Sequence, residues 1–228
     1  MKKIVGIASI PSREIGLMDT LNSLSPQVDK IYVWLNGYEK TPTANLDNVV
    51  FHNGEDCGAV GKMKTLDLVE EDEFYFFMAD DDIVYPSDYV SHNLKHYEMG
   101  TIQSSHGKIY KKFPILNYSY GDISGFYFGS HISNRVPIHV AGTGVSLTDH
   151  TVVRDIPYDS FLDYPNMLDV WVSSYCLLND IPMFIVPHKG GWLRPNNKIN
   201  QTDSIWETTK DRENEFRTKV FNQYISQI

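Results

Sequence analysis

Three carboxylates in a row, Asp80, Asp81 and Asp82, follow directly on the run Phe74-Tyr75-Phe76-Phe77-Met78-Ala79. Adjacent carboxylates repel one another unless positive charge lies between them, and a hard divalent cation is the usual answer. Such an ion takes one or two carboxylates and fills its remaining positions with water and substrate phosphates, which is how Mg²⁺-type ions meet nucleotides. The plainer alternative is a charged turn that keeps a strand end soluble. Context favours chemistry. The apolar run reads as a strand buried on both faces, so the acids stand where it leaves the sheet. In open α/β sheets, ligands bind in the crevice outside the carboxyl ends of strands.

Other stretches carry further candidates. Asp56-Cys57-Gly58-Ala59-Val60-Gly61-Lys62-Met63-Lys64 reads as a loop opening a helix that continues through Leu66 and Val69. A glycine-containing helix entry offers backbone N–H groups to an anion, and a turn with an exposed lysine is the duller reading. It is not a Walker loop, because Asp56 stands where the first glycine belongs and Met63 replaces the hydroxyl residue. The segment from Val136 to Leu147 reads as one strand with Gly142-Thr143-Gly144 inside it, and glycine within a strand marks a close approach of ligand or backbone. Between Asp163 and Asn179, the residues Met167, Val170, Trp171, Ser174, Leu177 and Leu178 recur at helical spacing. Asp169 lies at the start of that helix, where the dipole favours an acid for structural reasons alone. His188, followed by Lys189-Gly190-Gly191, ends a strand over Pro182 to Pro187. It is either structural or the completion of a metal or diphosphate site, with Lys189 and Arg194 as neighbouring cations.

The remaining elements must position these groups. Strands are expected at Lys3 to Ile10, Lys30 to Leu35 and Val49 to Phe51, with helices at Glu14 to Leu24 and Asp88 to Met99. A strand is expected over Ser105 to Tyr110. From Asn117 to Arg135 the chain is rich in aromatic residues and glycine, suiting a loop over a sugar or a hydrophobic loop on the core. Glu207 to Ile228 reads as an amphipathic terminal helix. This alternation is that of an α/β fold with a largely parallel sheet. Right-handed crossovers then bring Pro11 to Arg13, Asn36-Gly37 and Asp80 to Asp82 to one edge.

Asp80-Asp81-Asp82 after a buried strand resembles the Asp-x-Asp motif of nucleotide-sugar-dependent glycosyltransferases of the GT-A fold, in particular small bacterial or viral enzymes of family-two type. The resemblance covers most of residues 1–195. It implies one GT-A domain over 1–228, a Rossmann-like α/β/α sandwich with a mixed, mainly parallel sheet. Residues 1–100 would form its nucleotide-binding half, 101–195 its donor-sugar and acceptor half, and 196–228 a C-terminal extension. It implies a metal site of Asp80, Asp82 and His188 for Mn²⁺ or Mg²⁺. Pro11, Arg13, Asn36, Lys62, Asp80 and Asp81 would line the nucleotide, with Asp81 on the ribose. Gly142, Thr143 and Gly144 would lie by the donor sugar, and Asp169 would be the general base of an inverting transfer. Family-two enzymes usually carry Glu-Asp at that helix start, whereas Met167-Leu168 precede Asp169 here, so Asp163 is the alternative base. The implied partners are a nucleoside diphosphate sugar, UDP-sugar by default, and a glycan or lipid-linked acceptor.

Composition bounds these readings. The chain has 228 residues, 42% hydrophobic and 13% aromatic, enough for the core of one domain. A formal charge of -9 excludes the basic footprint of general nucleic-acid binding. Two cysteines, Cys57 and Cys176, build neither a disulfide framework nor a metal quartet and fit a reducing, cytoplasmic setting. No apolar stretch nears the ~20 residues that span a bilayer, which leaves peripheral membrane contact open. Three rivals remain. A sugar-nucleotide nucleotidyltransferase would carry a glycine-rich loop where Ile10-Pro11-Ser12-Arg13 stands. A dehalogenase-type phosphatase would place its acids after an N-terminal strand. A non-catalytic nucleotide- or sugar-binding module would bind a donor and turn nothing over.

Overall fold

A computed structural model describes residues 1–199 and 213–225. Its frame is an eight-stranded sheet that grows outward from the most apolar strands. β1 (Lys2–Ser9) lies between β2 (Lys30–Asn36) and β4 (Phe74–Ala79), and β3 (Val49–Gly54) flanks β2, all four parallel. The sheet runs on from β4 through β11 (Val145–Asp149), β6 (Ile102–Ser104), β12 (Met183–Ile185) and β9 (Val136–Pro137). β11 is antiparallel to both its neighbours, and β12 is parallel to β6. The carboxyl ends of β1, β2, β4 and β6 therefore share one edge with the amino end of β11. The α/β class with a mixed, mainly parallel sheet is the one the sequence implies.

Alternation along the strands feeds two cores. Val5, Ile7, Ile31, Val33, Leu35, Phe77 and Ala79 face α1 (Glu14–Leu24) and α3 (Tyr89–His96). Ile4, Tyr32, Phe74, Phe76 and Met78 face α2 (Gly61–Lys64), α4 (His150–Val153) and α5 (Leu168–Leu178). Nearly all these side chains are fully buried, which is why the strand run around Phe76 and Phe77 tolerates no charge until Asp80. A smaller sheet joins β7 (Gly107–Tyr110) to β8 (Ile123–Phe126) and β10 (Val140–Ala141), and a two-stranded ladder joins β5 (Ile83–Val84) to β13 (Arg194–Pro195). A third cluster packs Tyr110, Ile115 and Tyr118 against Val220 and Phe221 of α6 (Asn214–Ile225).

Several elements differ from expectation. The helix expected through Val69 is one turn, α2, followed by a 3-10 segment over Thr65–Leu68. The Thr65 hydroxyl bonds the Lys62 carbonyl at 2.6 Å, offering that backbone acceptor an alternative to the continuing helix. The strand expected at Ser105 to Tyr110 is the shorter β7, Gly107–Tyr110, and β6 just before it, in the main sheet, was not expected. The strand expected over Val136 to Leu147 is three pieces, and Gly142-Thr143-Gly144 form the turn between β10 and β11 rather than a strand interior. The aromatic stretch 117–135 contains β8, paired with β7, and is not loop throughout. The helix bearing Asp169 begins at Leu168, beyond Pro165, which disfavours helical geometry in its predecessor. Of the terminal helix expected from Glu207 to Ile228, only 213–225 is described; 207–212 and 226–228 lie outside the described residues. Among the described residues no helix is long and apolar enough to cross a membrane.

Candidate functional site

Strand register builds the site. Ala79 of β4 pairs with Val145 of β11, so the next residues outward, Asp80 and Gly144, also face each other. Asp80 N donates to Gly144 O at 2.9 Å, and the Tyr85 hydroxyl, itself buried, donates to the same carbonyl at 2.7 Å. On the far side of β11, Ser105 N donates to Val145 O, and Gly142 N donates to His106 O at 2.8 Å. The turn between these contacts carries Thr143, whose N–H and hydroxyl both donate to Asp169 Oδ1, at 2.8 and 2.6 Å. Three consecutive residues thus touch three different polar side chains: Gly142 the His106 ring, Thr143 the Asp169 carboxylate, and Gly144 the Asp80 carboxylate. A Cβ at Gly144 would overlap Asp80 Oδ2, so glycine here lets the carboxylate lie against the turn.

The acids are paired with cations of the same chain. Arg13, at the end of the 3-10 turn opened by Pro11, places Nη1 at 3.2 Å from Asp81 Oδ1 and 2.8 Å from Asp82 Oδ2. Lys62 Nζ bonds Asp80 Oδ1 at 2.5 Å. Burial pulls the Lys62 ammonium down, but the charge and hydrogen bond of Asp80 outweigh it and the ammonium ends raised. Asp81 is 5% exposed, and burial pushes its carboxyl up to about 7 against the opposing pull of Arg13. Asp80 stays open to solvent, its side chain 40% exposed. Lys62 reaches the acids because α2 lies hard against β1, where a Cβ on Gly6 would stand 2.6 Å from the Lys62 carbonyl oxygen.

Asn36, 3% exposed at the end of β2, accepts from Cys57 N at 3.0 Å and donates to Gly58 O at 3.1 Å. Its amide fixes the loop that leads to Lys62. Val60 N donates to Pro165 O, and Ala59 N to Asn166 Oδ1, tying that loop to the segment before α5. Asp163 is exposed on the turn before that helix. Both cysteines are buried, and burial holds Cys57 up at about 11 and Cys176 at about 12, so neither is a ready nucleophile.

The structure does not bring His188 to the acids. Its ring nitrogens stand 3.2 Å from Lys189 O and 3.4 Å from Ser105 O, and the ring stacks on Trp192. Among the described residues no group of three or more His, Cys, Asp or Glu is arranged to hold a metal ion. Asp80 and Asp82 supply hard oxygen donors but no closed cage. Each is bonded to a cation of the chain, Arg13 to Asp82 and Lys62 to Asp80, and His188 lies outside the set.

Sequence patterns left three contributors unseen: Tyr85, which clamps Asp80 to Gly144; the Thr143 hydroxyl, which holds Asp169; and His106. The first two are signalled only by register. No sequence cue marks His106, which falls inside the strand expected over Ser105 to Tyr110.

No family model matches the chain, and no curated protein matches it. Solved structures similar to it include A197 from STIV, at 15% identity and a TM-score of 0.48, covering 85% of this chain and 84% of that one. HddC from Yersinia pseudotuberculosis complexed with GMP-PN is 14% identical, with a TM-score of 0.41 over 70% of this chain and 81% of HddC. The galactosyltransferase LgtC, in complex with donor and acceptor sugar analogs, is 13% identical, with a TM-score of 0.34 over 64% of this chain and 56% of LgtC. All three superpose below a TM-score of 0.5, too little to transfer a site residue or a ligand.

Proposed function

We propose that this chain transfers a sugar from a nucleoside diphosphate sugar, UDP-sugar by default, to a hydroxyl of a glycan or lipid-linked acceptor. The supporting observation is the Gly142-Thr143-Gly144 turn, which sets a cation-paired carboxylate cluster on one side and a separate carboxylate, Asp169, on the other. A diphosphate leaving group needs positive charge on the first side, and an attacking hydroxyl needs a proton acceptor on the second.

Lys62 and Arg13 would meet the diphosphate's charge. Asn36 would hold the nucleotide-side loop in place, with Pro11 at its margin and Asp81 toward the ribose. Asp80 and Asp82 would hold Mn²⁺ or Mg²⁺, which when bound supplies further neutralisation of the departing diphosphate. Thr143 would orient Asp169 by binding Oδ1, so that Oδ2 takes the acceptor proton. In the transfer, the bond from the sugar's anomeric carbon to the diphosphate oxygen breaks as the acceptor oxygen bonds that carbon. The acceptor's proton passes to Asp169, and attack opposite the leaving group inverts the configuration.

The test is turnover of a panel of UDP-, GDP- and dTDP-sugars with Mn²⁺ and mixed oligosaccharide or lipid-linked acceptors. Nucleoside diphosphate release that depends on acceptor and is lost in Asp169→Asn supports the reading. Binding of a donor with no turnover for any acceptor would favour a binding module instead.

A further inference from the structure

His106 adjoins the turn that joins the two halves of this site. Its backbone carbonyl accepts from Gly142 N, and its ring packs so closely on Gly142 that a Cβ there would stand 3.0 Å from ring carbon Cδ2. The next two residues of the same turn hold Asp169 and adjoin Asp80, and the charges of both carboxylates reach the ring. Tyr127 and Phe128 stand beside it, ring centroids 5.9 and 6.0 Å away. Nδ1 is buried and has no hydrogen-bond partner among the described residues. A buried polar atom without a partner is costly and rare in a folded protein, and a ligand group is one way to satisfy it.

The chemistry of the missing partner follows from the surroundings. Burial lowers the imidazole's proton affinity more than Asp169 and Asp80 raise it, so the ring is neutral near pH 7. A neutral imidazole offers either one donor or one acceptor at Nδ1, and a hydroxyl matches both. An anion such as phosphate matches only the donor form and meets no positive charge on a neutral ring. Tyr127 and Phe128 add flat apolar faces of the kind that pack against the C–H faces of a sugar ring.

We propose that His106 is a specificity-determining residue for the transferred sugar, its Nδ1 hydrogen-bonding one sugar hydroxyl beside the Gly142-Thr143-Gly144 turn. This rests on the transferase reading above and adds to it a residue that selects the sugar rather than the nucleotide.

The experiment compares wild type with His106→Ala and His106→Asn, the latter returning an amide near the position of Nδ1. Calorimetry with UDP and GDP, then with UDP-glucose, UDP-galactose and GDP-mannose, identifies the nucleotide and sugar nucleotide that bind. His106→Ala should leave the free nucleoside diphosphate's Kd within about twofold and weaken the sugar nucleotide by about tenfold or more. His106→Asn should recover part of that loss. In a monodeoxy series of the same sugar, wild type should lose about tenfold at one hydroxyl, and His106→Ala should lose nothing further there. Equal weakening of nucleotide and sugar nucleotide, or unchanged discrimination at every hydroxyl in a folded variant, overturns the assignment while leaving the transferase reading intact. Should His106→Ala fail to fold, the same deoxy comparison in His106→Asn decides. No binding of any nucleotide to wild type overturns both.

Discussion

Replacing Gly144 by alanine separates the placement of Asp80 from the stability of the fold. The added Cβ would overlap Asp80 Oδ2, and even the far oxygen, Oδ1, would stand 2.6 Å away where ordinary contact begins at 3.4 Å. The carboxylate must therefore retreat by roughly an ångström. It has room to do so, because its side chain is 40% exposed and only its tip collides. Retreat loosens the bond to Lys62 but leaves β4, β11 and their ladder in place. A misplacement of about 1 Å at reacting groups costs on the order of a hundredfold in rate, or about 2.7 kcal/mol. Gly144→Ala should accordingly lose about a hundredfold in kcat/KM for transfer, while urea unfolding shows a stability loss of only about 1–3 kcal/mol from the loosened Lys62 pair. Full activity in a folded Gly144→Ala would refute the reasoning, since it would mean that Asp80 does no work at the position its register gives it.

Three other perturbations follow from the same geometry. Asp169→Asn should cut transfer by about 10²–10⁴-fold while leaving donor Kd near wild type, measured by turnover and calorimetry on one preparation. Arg13→Met removes the cation that Asp81 and Asp82 share and, since Asp81 takes up a proton in its place, should cost about 1–3 kcal/mol in urea unfolding at pH 7, partly restored in the double variant with Asp81→Asn. Lys108, lowered by burial to about 8 from 10.5, binds fewer protons folded than unfolded between those values, so its contribution makes stability rise with pH across that window. Lys108→Met should flatten that rise and add on the order of 1 kcal/mol at pH 7, read from urea unfolding at pH 7 and pH 10.

The legible parts of this fold are those where local pattern and burial agree. Phe74–Ala79 and Glu14–Leu24 have the bounds their apolar runs and punctuation indicate. The edge that gathers Arg13, Asn36 and Asp80 followed from parallel order alone. Long-range register was not legible. Nothing local announces that β11 inserts antiparallel between β4 and β6, yet this insertion sets Gly144 on Asp80 and Gly142 on His106. The glycine pair marked a close approach, and the approach proved to be of the chain's own side chains. His188 looked like a third ligand because it ends a strand, but its ring is engaged by backbone carbonyls and Trp192. Two cavities of about 160 and 380 Å³ lie by Phe74 and by Lys30, at the amino ends of their strands, and none of the candidate site residues lines them.

The most direct measurement is calorimetric titration of UDP, GDP and dTDP into wild type and Asp80→Asn, each with Mn²⁺ and again with EDTA. The account predicts that one diphosphate binds wild type with Mn²⁺, and that binding falls at least about tenfold both in Asp80→Asn and in EDTA. Binding of none of the three, or binding indifferent to Asp80, would contradict it.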